Sequence, residues 1–518
     1  MAEGTSQSPI TNFYKNKNFF ITGATGFVGV CLIEKILRSL PECGKLYLLM
    51  RPKKKKTIEE RLDELRQNSA FEKFDEAALP EAFKKLVPIQ GDVGENNLGI
   101  SEKDRQTLID NVNIVIHSAA TLDFFETLKT TTTINLLGTR RVMQLCSQIK
   151  NLDAMVHVSS AYVNSFLNET EEILYDAPGD ADSVIEKATT LEDAVLKELE
   201  PKILQQHPNT YTFTKHLAEH EVNKYTKQFP CSIVRPSMIT AAWKEPVPGW
   251  TISKNGPQGF FLGASKGVVR RLPLNPDLIM DYIPVDVVVN EILIAGYHTY
   301  SINKQNPDKE LAIFHCTTST YRPFRFASVI DQVNGYLHLY PLKGAVWYPH
   351  LKFASTLTLF RLAAIIFHFI PGFFFDLLIR ITGGRPILIK LHRNVWNSLN
   401  ILERFIFSEW KFDNKKTLKL AKSLHPEDKK KFFIDVGELR WDSYFLNMLL
   451  GVRKNLNKEP IENLEAARRK DKILLVLHII FQLGFYWIVW SLIQCIFGIT
   501  GAKAALIIPI IYTLLSML

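Results

Sequence analysis

The chain has 518 residues, 22% charged and 46% hydrophobic, which excludes a disordered polymer and allows two or three domains. Its formal net charge is +9, but much of the excess sits at Lys53 to Lys56 and at Arg468-Arg469-Lys470, whereas a nucleic-acid binder would show a broad basic face. Six cysteines without a CxxC pair argue against structural disulfides or zinc and fit a reducing compartment.

Residues 1–14 read as a flexible polar tail without the apolar core of a signal peptide. Asn18–Ile21 is a strand that enters Thr22-Gly23-Ala24-Thr25-Gly26-Phe27-Val28-Gly29, and Val30–Leu40 is the helix that follows. A glycine-rich turn between strand and helix brings backbone amides to a pyrophosphate, so Thr22, Gly23, Thr25, Gly26, Phe27, Val28 and Gly29 are candidate dinucleotide contacts. Lys45–Met50 is the second strand, and it ends at Arg51-Pro52-Lys53. An acid there would bind the ribose 2′-hydroxyl of NAD; Arg51 instead suits a 2′-phosphate and predicts NADPH. Most of Lys53 to Lys56 reads as a solvated loop, and Thr57–Asn68 as a helix.

Val87–Gln90 leads to Gly91-Asp92-Val93, where Asp92 and Val93 are placed at the adenine edge. Ile114–His117 ends at Ser118-Ala119-Ala120, and the small Ala119 and Ala120 leave room for a cofactor. Met155–Val158 ends at Ser159-Ser160, Ser232–Val234 at Arg235-Pro236, and Leu311–His315 closes the series near residue 320. Continuous apolar strands separated by helices indicate a parallel sheet buried on both faces: an α/β, Rossmann-like, doubly wound domain over 15–320.

Tyr211 and Lys215 are spaced i, i+4 and share a helix face. An ammonium there favours tyrosinate, which fits Tyr211 to pass a proton to a carbonyl oxygen. One strand-end hydroxyl can donate to the same oxygen, and Ser160 is the choice. His216-Leu217-Ala218-Glu219-His220 has the HxxEH spacing of zinc peptidases, but it overlaps the Tyr–Lys helix and reads better as solvent-side histidines. Cys316 reads as a buried strand cysteine rather than a nucleophile. Neither metal nor nucleic acid is expected.

A helical domain is predicted over 350–455; Thr356–Phe375 within it is unusually apolar and interrupted by Pro371-Gly372. Ordinary packing, a membrane face or a roof over an acyl chain would each account for that stretch. Ile473 to Ala502 carries no charge, and neither does Ala504 to Leu518. About 20 apolar residues cross a bilayer, so 473–518 holds one span at 473–494 and room for a second. Arg468, Arg469, Lys470 and Lys472 precede it and place the catalytic part in the cytosol.

Together these residues resemble an extended short-chain dehydrogenase/reductase, and more narrowly the alcohol-forming fatty acyl-CoA reductases. The specific marks are the 22–29 loop, His117-Ser118-Ala119-Ala120-Thr121, His157-Val158-Ser159-Ser160-Ala161-Tyr162, Pro208-Asn209-Thr210-Tyr211 running to Lys215, and Val234-Arg235-Pro236-Ser237. Trp243-Lys244-Glu245-Pro246-Val247-Pro248-Gly249-Trp250 and Ile283-Pro284-Val285-Asp286 add to them, and the similarity runs over nearly the whole chain. Ser160 stands where threonine is common in that family. The resemblance implies a four-electron, NADPH-dependent reduction of long-chain fatty acyl-CoA to a fatty alcohol, on endoplasmic reticulum or peroxisome membranes, with Lys215 also holding the nicotinamide ribose. The alternatives are a sterol or sugar-nucleotide dehydrogenase of the same superfamily and a non-catalytic nucleotide-binding membrane scaffold.

Overall fold

Seven short apolar runs make one parallel sheet: β1 (Phe19–Thr22), β2 (Leu46–Met50), β3 (Leu86–Gln90), β4 (Ile114–His117), β5 (Ala154–Val158), β6 (Cys231–Pro236) and β7 (Ala312–Cys316). Their order is β7-β6-β5-β4-β1-β2-β3 in this computed structural model, which describes residues 8–53, 56–305, 310–498, 501 and 507–517. Every residue of β1, β2, β4, β5 and β6 is buried, which explains the unbroken apolar runs. The alternate residues Phe20, Val115, Met155 and Ile233 share a core with Val142 and Leu145 of helix Leu137–Cys146 and Val222 of helix Thr210–Asn223. Helices Phe27–Ser39 and Val285–Gln305 pack together, the latter also against β5 and β6. Each fully buried aliphatic side chain contributes about 1.5–3 kcal/mol. The chain runs outward from β1 to β3, returns to β4 beside β1, and runs out the other way; that reversal opens a crevice at the strands' carboxyl ends.

The expected domain bounds need three corrections. Residues 9–14 are not a loose tail: Ser8 caps helix Pro9–Tyr14, and the buried Tyr14 donates from its hydroxyl to the Leu293 carbonyl at 2.7 Å. Residues 1–7 lie outside the described part. The chain also divides into interleaved units rather than consecutive blocks. The first unit is the described part of Met1–Ile252 with Ile279–Phe324 and Glu409–Arg440. Residues 409–440, expected in the helical domain, belong here because Lys411–Phe412 pairs in parallel with Glu169–Thr170. The buried Glu172 carboxylate also accepts from the His315 amide at 2.9 Å and the Thr417 hydroxyl at 2.9 Å.

The second unit is Ser253–Leu278, Arg325–Ser408 and the described part of Trp441–Leu518, so 253–278 leaves the expected 15–320 block. Phe360, Ala364 and Leu399 form one of its cores. Pro371 does not break the apolar stretch: Ile365–Phe369 widens to a π turn between Leu357–Ala364 and Ile370–Ile381, which accommodates the missing amide. Leu357–Ile381 and Ile461–Ile496, both of mean hydropathy 2.1, are long and apolar enough to cross a membrane. Beyond helix Leu464–Phe497, residues 499–500 and 502–506 lie outside the described part, and so does much of the room for a second terminal span.

Candidate active site

The glycine loop fits a dinucleotide phosphate. Gly23 has φ +74°, and a Cβ there would sit 2.7 Å from Ser118 Oγ; one at Gly29 would sit 2.2 Å from the Gly23 carbonyl. Gly26 precedes helix Phe27–Ser39 and supplies no side-chain cap, so the first-turn amides are open to an anion. Thr25 and Val28 are half-buried, and the Phe27 ring stacks on Trp250 at 5.5 Å. The resemblance-bearing segment Trp243–Trp250 is held by Asp286, which accepts from the amides of Trp243, Lys244 and Glu245 at 2.9, 2.7 and 3.0 Å.

Thr22 works inside the protein. Its hydroxyl donates to His117 Nδ1 at 2.7 Å, and His117 Nε2 donates to Thr139 Oγ1 at 3.0 Å, which donates to the Asn135 carbonyl at 2.6 Å. Burial, then the Lys215 charge, pushes His117 down to about 3, so the ring is neutral as this chain requires. The Ala119 amide donates to Thr22 Oγ1 at 3.2 Å, fixing Ala119 and Ala120 beside the loop.

Arg51 and Asp92 meet at 3.1 Å and line an open cleft of about 520 Å³ with Lys53, Gly91 and Glu95. Asp92 also accepts the Gly94 amide at 2.9 Å. Val93 is buried, its carbonyl taken by Arg141 at 3.0 Å, and Pro236 is buried at the end of β6. Lys54 and Lys55 of the basic run lie outside the described residues. Arg61 was not anticipated. It donates from Nη2 to Thr25 Oγ1 at 2.9 Å and from Nη1 to the Arg51 carbonyl, so a second guanidinium stands by the loop. The only sequence signal is a cation near a helix N-terminus, where the macrodipole disfavours it.

Helix Thr210–Asn223 starts at Asn209, whose side chain accepts the Thr212 amide at 2.9 Å. It buries Tyr211 and Lys215 against the end of β5. Burial pushes the Tyr211 phenol up to about 12 while its hydrogen bond with Ser160 opposes the rise. Ser159 is committed elsewhere, donating to Glu219 Oε1 at 2.6 Å. The expectation that Lys215 lowers the phenol is not what these contacts give: Lys215 Nζ donates to the Val158 carbonyl at 2.8 Å, and Ser160 is the group acting on Tyr211. Lys215 itself is pushed down to about 8 by burial, with Glu219 opposing.

Glu219 is not a metal ligand but the partner of Arg235, Nη2 to Oε2 at 2.6 Å, both fully buried. Arg235 Nη1 donates to His315 Nε2 at 3.2 Å, leaving Nδ1 to donate to the Asp413 carbonyl at 2.7 Å. Contrary to expectation, the histidines of that spacing are not on a solvent face. His216 is buried beside His207, Nδ1 to Nε2 3.2 Å, and His220 is half-buried with Nε2 on the Tyr175 carbonyl. Cys316 is buried against Glu291, and burial pushes its thiol far up, which makes it a poor nucleophile. A further unanticipated residue is the buried Asn135, in the π turn Thr132–Leu136. Its Oδ1 accepts the Thr121 amide at 3.0 Å and its Nδ2 donates to Thr214 Oγ1 at 3.3 Å, tying the loop after β4 to the Tyr–Lys helix.

Residues 21–292 match a family model for an NAD-binding domain described as "Male sterility protein", and residues 367–459 match a second model with that description. The chain is 64% identical over 515 residues, covering 99% of itself and 100% of the relative, to a Drosophila melanogaster protein provisionally named as a fatty acyl-CoA reductase. It is 34% identical to human fatty acyl-CoA reductase 1, covering 89% of this chain and 88% of that one. Among solved structures it is similar to the terminal reductase domain of the myxalamid biosynthetic pathway, with TM-score 0.56 and 19% identity over 85% of this chain and 91% of that one. A reductase domain of a non-ribosomal peptide synthetase from Mycobacterium tuberculosis follows, with TM-score 0.54 and 16% identity over 87% and 92%. At such identities these two speak for the fold.

Proposed function

The chain belongs to the fatty acyl-CoA reductase family, a family of nicotinamide-dependent oxidoreductases, and we propose that it reduces long-chain fatty acyl-CoA to the primary alcohol with NADPH. The observation that carries the chemistry is the buried Ser160–Tyr211 hydroxyl pair, one helix turn from Lys215, at the strand ends where the glycine loop also lies.

NADPH supplies two electrons as a hydride each time it binds. Residues 23–29 would hold its pyrophosphate, and Arg51 with Arg61 its 2′-phosphate. The protein's own part is to manage the carbonyl oxygen. Tyr211 and Ser160 each offer a hydroxyl to that oxygen, stabilising the negative charge that grows on it. A phenol at about 12 stays protonated at neutral pH and is an acid, not a base. Lys215, its charge retained below about pH 8, donates to the Val158 carbonyl at 2.8 Å and so ties the Tyr211 helix to the end of β5. The first reduction gives a hemithioacetal; its collapse expels the CoA thiol and leaves an aldehyde. The second reduction, with the same Tyr211 proton donor, gives the alcohol. One thioester, two NADPH and two protons therefore yield one alcohol, one CoA and two NADP⁺. The apolar helices of the second unit favour attachment to a membrane, with the catalytic unit in the cytosol.

The test is incubation of the purified full-length protein with NADPH and a long-chain acyl-CoA in uncharged detergent. Alcohol and free CoA in equal amounts, with two NADPH consumed, are expected. No alcohol, with a sterol or sugar nucleotide oxidised instead, would replace this reading.

A further inference from the structure

The second unit carries a helical hairpin with one face that its own residues leave uncovered. Helix Leu357–Ala364 continues through the π turn into Ile370–Ile381, and Leu388–Ile406 packs back against it. The inner side is fixed along its length. Phe360 and Ala364 share a core with Leu399, and the His368 ring stacks on His392 at 4.8 Å. The Arg270 and Arg271 amides donate to His368 Nε2 at 3.0 and 3.1 Å. The Asp376 carboxylate accepts the amides of Ile387, Leu388 and Ile389 at 3.0, 3.0 and 2.9 Å, which closes the hairpin.

The outer side is apolar and its margin is basic. Ile370, Phe373, Phe374, Leu377, Leu378 and Ile381 are exposed and form a stripe about 140° wide on the helix. From Ile370 to Asn394 the chain holds four cations, Arg380, Arg385, Lys390 and Arg393, all exposed, and one acid. That acid is Asp376, whose oxygens already serve the hairpin's amides. An aromatic and aliphatic stripe beside Lys and Arg is the pattern of helices that lie in a membrane interface. The basic margin selects anionic lipid, because each Lys or Arg near such a surface strengthens the contact about 5-fold.

By length and hydropathy alone, Leu357–Ile381 could cross a bilayer. Its partner helix argues against crossing. Leu388–Ile406 would have to enter the hydrocarbon with it, taking the exposed Lys390, Arg393, Asn394 and Asn397 along. Such groups facing lipid are strongly disfavoured, whereas a helix in the plane of the interface leaves them in water. Trp347 sets the level. Its ring packs on Phe375 of the hairpin and on Phe481 of helix Leu464–Phe497, each at 5.5 Å, and tryptophan favours the membrane–water boundary. The hairpin is thereby joined to the terminal helix near the start of its uncharged run.

We propose that this hairpin lies in the plane of an anionic membrane surface, with Ile370–Ile381 seated in the apolar edge of the leaflet and Arg380, Arg385 and Lys390 among the lipid phosphates. It is a second, shallow contact beside the terminal helix. The inference rests on the membrane attachment proposed above and is independent of the reduction.

The experiment uses full-length protein in lipid nanodiscs, with the exposed Cys495 replaced by serine; the other five cysteines are buried. Ile370→Cys or Ile381→Cys then carries a single fluorophore, and lipids brominated near the headgroup or near the chain end read its depth. The two positions are ~16 Å apart along the helix. Equal, shallow quenching at both, about 2-fold or more stronger with phosphatidylserine present than in phosphatidylcholine alone, supports the in-plane helix. Arg380→Gln with Arg385→Gln and Lys390→Gln should remove that lipid preference. Equal quenching in both lipids overturns the role of the cations. Shallow quenching at one position and deep quenching at the other means a crossing helix and overturns the inference. So does a label that no brominated lipid reaches, the result expected were a partner protein or a second copy to cover the face. Protein that leaves the disc overturns the membrane attachment as well, which separates the two failures.

Discussion

Glu219 lies one helix turn beyond Lys215 and closes an ion pair with Arg235 at 2.6 Å, both side chains fully excluded from solvent. The same carboxylate accepts the Ser159 hydroxyl and opposes the burial-driven fall in the Lys215 pKa. It therefore couples β6 to the helix that presents Tyr211 and Lys215. Glu219→Gln leaves a buried guanidinium unpaired, and such losses cost about 3–5 kcal/mol. A large drop in thermal midpoint is expected. Glu219→Gln with Arg235→Met should recover much of it; equal instability of single and double variants would show that the pair is not the cause.

Tyr211→Phe removes the proton donor and keeps the ring against Phe124, whose centroid is 5.5 Å away. Turnover should fall roughly 10²–10⁴-fold, while NADPH affinity, read by fluorescence titration, stays near wild type. Ser160→Thr should stay active and Ser160→Ala should not. Alcohol formation by Tyr211→Phe within tenfold of wild type would reject the assignment.

Arg51 and Arg61 are the two arginines proposed to hold the 2′-phosphate of NADPH, and they can be tested separately. Arg51→Ala frees Asp92; Arg61→Ala releases Thr25 and the Arg51 carbonyl. A charge-assisted phosphate bond contributes about 1.5–3 kcal/mol. Each variant should raise the KM for NADPH about 10–100-fold and change that for NADH little. Equal effects on both cofactors would remove the 2′-phosphate from the explanation.

Lys215 gives two pH signatures of opposite sign. Its charge is kept below about pH 8 and lost above it, so kcat/KM should fall as pH rises through about 8. Stability runs the other way. The folded pKa lies below the unfolded 10.5, so the unfolded chain holds the extra proton between those values, and folding becomes more favourable as pH rises across the window. The thermal midpoint of Lys215→Met should therefore exceed that of wild type most below pH 8, with the gap closing toward 10.5. A gap that is constant with pH would mean that Lys215 is not desolvated in solution.

Much of this arrangement is legible in the sequence because it is local. Fully buried parallel strands force unbroken apolar runs, and observed bounds such as Leu46–Met50 and Ala154–Val158 differ from the expected ones by a residue. The Tyr211–Lys215 spacing and the glycine loop are likewise written in adjacent positions. What is not legible depends on long-range pairing. Arg61 reaches Thr25 across 36 positions, and Glu172 reaches Thr417 across 245, so neither leaves a periodic trace. That second contact is also why 409–440 leaves the helical block to which its composition assigns it. The HxxEH spacing misleads for a related reason. Helix Thr210–Asn223 is buried on nearly all sides, so polar residues that look solvent-facing serve as internal partners.

Helix Leu464–Phe497 has a pinned start and an unprotected remainder. Asp471 meets His338 at 3.0 Å, Leu474 is buried with Leu342 and Ala345, and His478 meets Trp347. Beyond it Leu483, Trp487 and Ile496 are 65%, 64% and 70% exposed, an apolar surface of the kind that a membrane or a partner protein covers. Truncation after Gln482 removes the exposed part and keeps every contact of the pinned part. The expected result is release from membranes into the alkaline-carbonate supernatant, with NADPH oxidation on detergent-dispersed acyl-CoA retained, because all proposed catalytic residues lie in the first unit. Activity on intact membranes should fall more, since each buried methylene adds about 0.8 kcal/mol to a long acyl chain's preference for lipid. If the truncated protein stays in the carbonate pellet, the terminal helix is not the main anchor. Leu357–Ile381 would then hold the protein, and replacing exposed Phe373, Phe374, Leu377 and Leu378 with serine should release it.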